Sequence, residues 1–179
     1  MANSSLISDI KNKIVAEITG DEALFYAIDS PDVRSLEYSD ELINTHLFTY
    51  NQNPLTLNRA ITFITILVHI PRTFYKNQYV KIQIEFFICS HESKMKVDNI
   101  PKIAANRNDY ISQLLDEKFN GRSSLGIDGD PSRLNLWGNL ELTSNIEGSY
   151  SDNYLFRRMT FESKDINDSL CGGSYAVAY

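Results

Sequence analysis

Residues 73–91, TFYKNQYVKIQIEFFICSH, limit what this chain can fold into more than any other stretch. Side chains alternate across a strand, so Val80, Ile82, Ile84, Phe86 and Ile88 share one face. Burying each is worth roughly 1.5–3 kcal/mol, and five left in water would forfeit about as much as a domain's whole net stability. The cover must come from apolar stripes of similar length. Two exist. SSLISDIKNKIVAEIT (4–19) sets Ile7, Ile10, Ile14 and Ile18 at helical spacing, with a serine to cap it and Gly20 to stop it. NRNDYISQLLDEKFNG sets Ile111, Leu114, Leu115 and Phe119 on one face, with Asn106 or Asn108 as cap, Asp109 in the first turn and Gly121 as stop. The expected architecture is α+β, a two-layer sandwich of a mainly antiparallel sheet with two helices on one face.

The reverse face of the same strand starts wet, with Lys81, Gln83 and Glu85, and ends dry, with Phe87 and Cys89. The preceding strand, AITFITILVHI (60–70), offers Phe63, Thr65, Leu67 and His69 on that side. Two covers are open. The long connection over 30–57 could fold across the greasy end with Leu47, Phe48 and Tyr50, or another subunit could lie there, as an apolar patch too large for a monomer would require.

Around this hairpin the remaining elements are short. EALFYAID, capped by Asp21, reads as a second helix ending before Pro31. PRTFYKNQ reads as an eight-residue hairpin loop carrying Phe74 and Tyr75. LWGNLELTSN and YLFRRMTFES read as two more strands, joined by a polar link around Gly148. The loop over 122–136 and the tail CGGSYAVAY (171–179) are expected to project beside the hairpin tip. At 179 residues, with neither an internal repeat nor a linker, residues 1–179 read as a single domain.

Chemistry is thinly signalled. The sequence contains no nucleophile elbow, dinucleotide fingerprint, phosphate loop or HExxH helix. Cys89-Ser90-His91 puts a thiol and an imidazole on one side of a strand end, near where His69 ends the neighbouring strand, a geometry a metal or a Cys-His nucleophile would need. A buried thiol beside a surface histidine explains the same letters. Asp128 and Asp130 in IDGDP read as a polar turn, because the ligand series and closing Glu of a calcium loop are missing. Asp116-Glu117 diverge on a helix, and Arg157-Arg158 must face opposite ways on a strand. Cys89 and Cys171 fit no ligand or disulfide framework. A formal charge of -6 argues against a DNA-gripping surface. No membrane span is present, and MANSSLISDI lacks the order of a signal peptide, so a cytoplasmic site of synthesis is expected. The chain is expected to have no catalytic residue, no metal and no cofactor.

The order of elements is similar to that of the small head-to-tail connector proteins of tailed bacteriophages, especially tail terminators and related neck or tail-completion proteins. In sequence the resemblance rests on LINTHLFTYNQNP leading into the first strand, on NRNDYISQLLDEKFNG, and on LELTSN followed by YLFRRMTFESKDIN. It implies a structural virion protein, made in the host cytoplasm, that forms a homo-oligomeric ring, commonly a hexamer. Such a ring would cap the tail tube and meet the neck proteins, with DNA only as passing cargo. The residues expected at interfaces are Phe74 and Tyr75 at the hairpin tip, Phe63, Leu67 and Phe87 on the sheet, Arg157 and Arg158, and Tyr175, Val177 and Tyr179 in the tail. The competing readings are a small binding module that holds a peptide or ligand at its sheet edge, and an enzyme built on Cys89, His91 and His69.

Overall fold

The computed structural model describes residues 3–28, 36–57, 59–74, 79–96, 106–151 and 153–166. In chain order it contains α1 (Asn3–Thr19), α2 (Glu22–Ala27), β1 (Leu47–Phe48), β2 (Thr62–Phe74), β3 (Tyr79–His91), α3 (Arg107–Phe119), β4 (Ser124–Leu125), β5 (Leu134–Asn135), β6 (Glu141–Ser151) and β7 (Tyr154–Ile166). The long strands form one sheet in the order β1-β2-β3-β7-β6, antiparallel except for the short β1–β2 pair. The fold is α+β.

The apolar stripe that demanded a cover has one. Ile64, Ile66, Val80, Ile82, Ile84, Phe86 and Ile88 are buried with Met159 and Phe161 under α1, α2 and α3, whose Ile10, Ile14, Ile18, Leu24, Ile111, Leu115 and Phe119 complete a single core. Phe86 stacks on Phe119 at 5.2 Å and meets Phe161 edge-on at 5.8 Å. Three helices share that face rather than the two expected, since α2 also sends Leu24 and Phe25 inward. The Asp21 side chain accepts from Leu24 N–H (3.1 Å) and Asn106 accepts from Asp109 N–H (2.9 Å), which start α2 and α3. Gly121, at φ +80°, follows α3 in the left-handed region.

Buried polar groups lock α3 to the sheet. Thr62 and Ser90 hydroxyls are 3.0 Å apart, Ser90 donates to Asn108 Oδ1 (2.7 Å), and Asn108 Nδ2 donates to the Leu155 carbonyl (3.0 Å). The buried Arg107 guanidinium donates to the carbonyls of Lys94, Ala27 (2.6 Å) and Lys96 (3.0 Å).

Three sequence expectations are corrected. β2 does not stop at Pro71: it passes through a bulge between His69 and Arg72 and pairs on to Phe74–Tyr79, so residues 71–74 belong to the strand and not to the expected hairpin loop. A proline without N–H is tolerated because it lies at that bulge, where β2 has no second long strand beside it. Gly148 is not in a link but inside β6, paired with Phe156. The loop over 122–136 does not project as a whole. It forms the small β4–β5 ladder, buries Leu125 and Leu136, and docks on α1, where the buried Glu17 accepts from Gly126 N–H (2.5 Å) and pairs with Arg122. Gly126 sits at φ +110°, and a Cβ there would come within 3.1 Å of the Lys13 side chain.

Candidate functional site

The face of the sheet turned away from the helices is the part of the molecule left unfinished. Cross-strand pairing lays it out in rungs: Phe63, Cys89, Phe156 and Gly148; then Thr65, Phe87, Arg158 and Ile146; then Leu67, Glu85, Thr160 and Ser144.

The first rung is largely sealed by the chain itself. Phe48, Ile61, Phe63, Cys89 and Tyr154 form a second buried cluster, with Leu57 against it and Phe48 edge-on to Phe63 at 5.7 Å. The coil is pinned there by His46, whose Nδ1–H donates to the Thr62 carbonyl (2.7 Å), and by Ile64 N–H bonding the His46 carbonyl (2.7 Å). Tyr154 O–H donates to the Arg59 carbonyl (2.9 Å). Of the two covers left open by the sequence, the connection through Phe48 therefore takes this end. Phe63, expected at an interface, is fully buried in the single chain, because Phe48 already fills the space above it.

The next rung is buried at Thr65 but, among the described residues, only partly covered from Phe87 to Ile146. Phe87 stacks on Phe156 (4.9 Å, 29° between planes), and Tyr150 meets Phe87 edge-on at 6.3 Å. Phe87 and Phe156 are half-buried, while Ile146 and Tyr150 are 44% and 45% exposed. Gly148 makes this arrangement possible: a Cβ there would lie 2.8 Å from Phe156 Cζ. Leu67 is half-buried beyond them. Below runs a charged band, with Glu85 3.4 Å from His69 Nε2 and 3.7 Å from Arg158 Nε. At the far end Lys81 pairs with Glu162 (2.6 Å), and Trp137, 62% exposed, packs beside Tyr79 at 5.1 Å. A cleft of about 510 Å3 there is lined by Trp137, Lys81, Glu141, Glu162 and Lys164.

Arg157 and Arg158 face opposite ways, as alternation requires. Arg158 belongs to the open face. Arg157 turns to the helix side and is committed within the chain, pairing with Asp109 of α3, with Glu147 (3.1 Å) and with Asn145 Oδ1 (3.0 Å). Arg157 was expected at an interface, and the contacts it makes here are within the chain. The side chain of Phe74, and Tyr75, Tyr175, Val177 and Tyr179 altogether, lie outside the described residues. Phe156, Tyr150 and Ile146 were missed in the sequence. Their signal was a glycine inside an alternating strand, which marks close approach of a neighbouring side chain.

The three residues considered for catalysis do not meet. Cys89 is buried, and burial pushes its thiol up to about 12, so it stays protonated at neutral pH. His91 caps the turn that follows β3, its Nδ1 accepting from Ser93 N–H (3.2 Å), and its ring meets Tyr154. His69 lies six residues along β2 from Phe63, the partner of Cys89, roughly 20 Å of extended chain. Among the described residues, no three His, Cys, Asp or Glu side chains are grouped as metal ligands. Asp128 and Asp130 are engaged by Arg133 (2.9 Å) and by Ser132 and Lys13 (3.6 Å), and the hydrogen bonds from Ser132 hold the Asp130 carboxyl below its usual range. No helix among the described residues is long and apolar enough to cross a membrane.

No curated protein matches the chain. A family model does, and it spans both the hairpin that carries the open face and the β6–β7 pair that completes it. On that match, over residues 21–163 of 179, the chain belongs to the YomW family, a phage-associated family of the kind found in Bacillus phage SPBeta.

Proposed function

We propose that this phage protein is a structural component of the virion, a subunit of a homo-oligomeric ring at the neck that caps the tail tube and joins it to the head connector. The observation that carries the reading is the aromatic patch of Phe87, Phe156, Tyr150 and Ile146, left partly open on a sheet whose other face carries the main core under the helices. A patch of this kind on a small chain marks a contact surface. The resemblance of the element order to that of neck and terminator proteins supports this kind of assembly. The net charge of -6 suits a lumen through which DNA must slide, since each gripped phosphate adds affinity that must later be released. The test is native mass spectrometry and negative-stain imaging of the purified chain, alone and with its tail-tube protein. Closed rings are expected; a strict monomer in both conditions would overturn the reading.

The cleft beside Trp137 favours a second reading, a module that holds a peptide or small ligand near the sheet edge. On this reading a ligand raises the melting temperature independently of protein concentration, and the emission of Trp137, the chain's single tryptophan, changes with occupancy.

A further inference from the structure

Resting on the ring reading, we infer that neighbouring copies join edge to edge, the free edge of β6 in one copy lying against β2 of the next between residues 66 and 70.

The sheet has two open flanks. β6 is an eleven-residue outer strand that, among the described residues, pairs only with β7 on one side. It contains no proline and no lysine, and the register shifts at Leu142/Ser144 and Ser149/Ser151 leave the stretch 144–149, centred on Ile146, as its regular part. On the opposite flank, among the described residues, β1 covers β2 only at Ile64 and Thr65, while the bulge and Pro71 interrupt the edge from His69 onward. What remains is a short window next to β1, framed on both sides, about the length of an ordinary strand contact. A framed window fixes register where a long plain edge would let strands slip.

Strand direction favours head-to-tail joining. β2, β3, β7 and β6 alternate, so β2 and β6 run in opposite senses. Copies standing side by side in one orientation, as in a ring, therefore bring β6 against β2 as an antiparallel pair, the better ladder. A β6–β6 contact would instead need a two-fold rotation and would end at a dimer. The side chains also match: Ile146 on the β6 edge and Leu67 on β2 both point to the outer face, so the seam would extend the patch of Phe87, Phe156 and Tyr150 into the next copy.

A lysine on either flank should block one side of each copy and leave the other intact. Native mass spectrometry of the full chain is the readout, with Ile127→Lys on the exposed loop tip as a control that keeps the wild-type assembly. Wild type is expected above dimer mass, with Ile146→Lys and Leu67→Lys each monomeric. Their equimolar mixture should stop at one heterodimer, because only one intact β6 edge and one intact β2 window meet; its formation also shows that both variants fold. Homodimers of Leu67→Lys alone would overturn the seam in favour of a two-fold β6 contact. Assembly by both variants, at wild-type size, would overturn the seam and leave the ring standing. A wild type that stays monomeric, with its tube protein as well as alone, would overturn both.

Discussion

Gly148 and Cys89 show how much the outer face depends on single atoms. Phe156 lies over Gly148 so closely that one added methyl would sit 2.8 Å from the ring. Gly148→Ala is expected to cost about 1–3 kcal/mol in urea unfolding, by forcing Phe156 off its stack with Phe87. Phe156→Leu in the same chain should recover part of that loss. Cys89, sealed by Phe48 and Tyr154, should resist a thiol reagent at pH 8 until the chain is unfolded. Its pH dependence has a definite sign. Burial raises the thiol from 9.0 to about 12, so the folded state holds the proton more tightly than the unfolded chain. Stability is therefore intact below pH 9 and falls as pH climbs toward 12. Tyr154, raised by burial and then by Cys89, acts in the same direction. Cys89→Ala should flatten the fall, measured as the urea midpoint against pH.

Among the elements, the segment over 122–136 is held by one buried carboxylate. Glu17 of α1 accepts from Gly126 N–H and pairs with Arg122, so Glu17→Ala leaves a cation and an amide without their partner. A loss of about 2–4 kcal/mol is expected, with trypsin cutting after Arg122 or Arg133 in the variant well before the wild type. The sequence could not reveal this docking. The segment's glycines and aspartates read as a projecting loop, and the group that holds it lies 109 positions away. The helices were legible because their signals are local: Ile10, Ile14 and Ile18 repeat at helical spacing, and Asp21 and Asn106 are caps three residues from the amides they accept. Strand ends were less so, since Pro71 and Gly148 are breakers by type, and only the neighbouring strand shows that one lies at a bulge and the other beneath a ring.

At the scale of the molecule, β3 and β7 lie inside the sheet, flanked on both sides, while β6 is open along one edge among the described residues. Amide exchange of the monomeric Ile146→Lys chain should therefore be slowest in β3 and β7 and fast in half of the β6 amides. The proposed seam predicts that those β6 amides, and those of residues 66–70, slow by at least tenfold when wild-type copies join. Unchanged exchange on assembly would place the contact elsewhere.

Alternation in residues 79–90 and the stripes of α1 and α3 determined by themselves that this chain is an α+β fold with helices on one side of a sheet, because burial of a periodic apolar face admits few other solutions. The tertiary structure alone decided how the other face is shared. Phe48 crosses the sheet to close the end at Phe63 and Cys89, and no segment among the described residues closes the patch at Phe87, Phe156 and Tyr150. Which residues of a half-apolar face are covered depends on where a long connection comes to rest, and that is set by contacts such as His46 to Thr62 and Phe48 to Phe63, between residues 15 or more positions apart, which local periodicity does not encode.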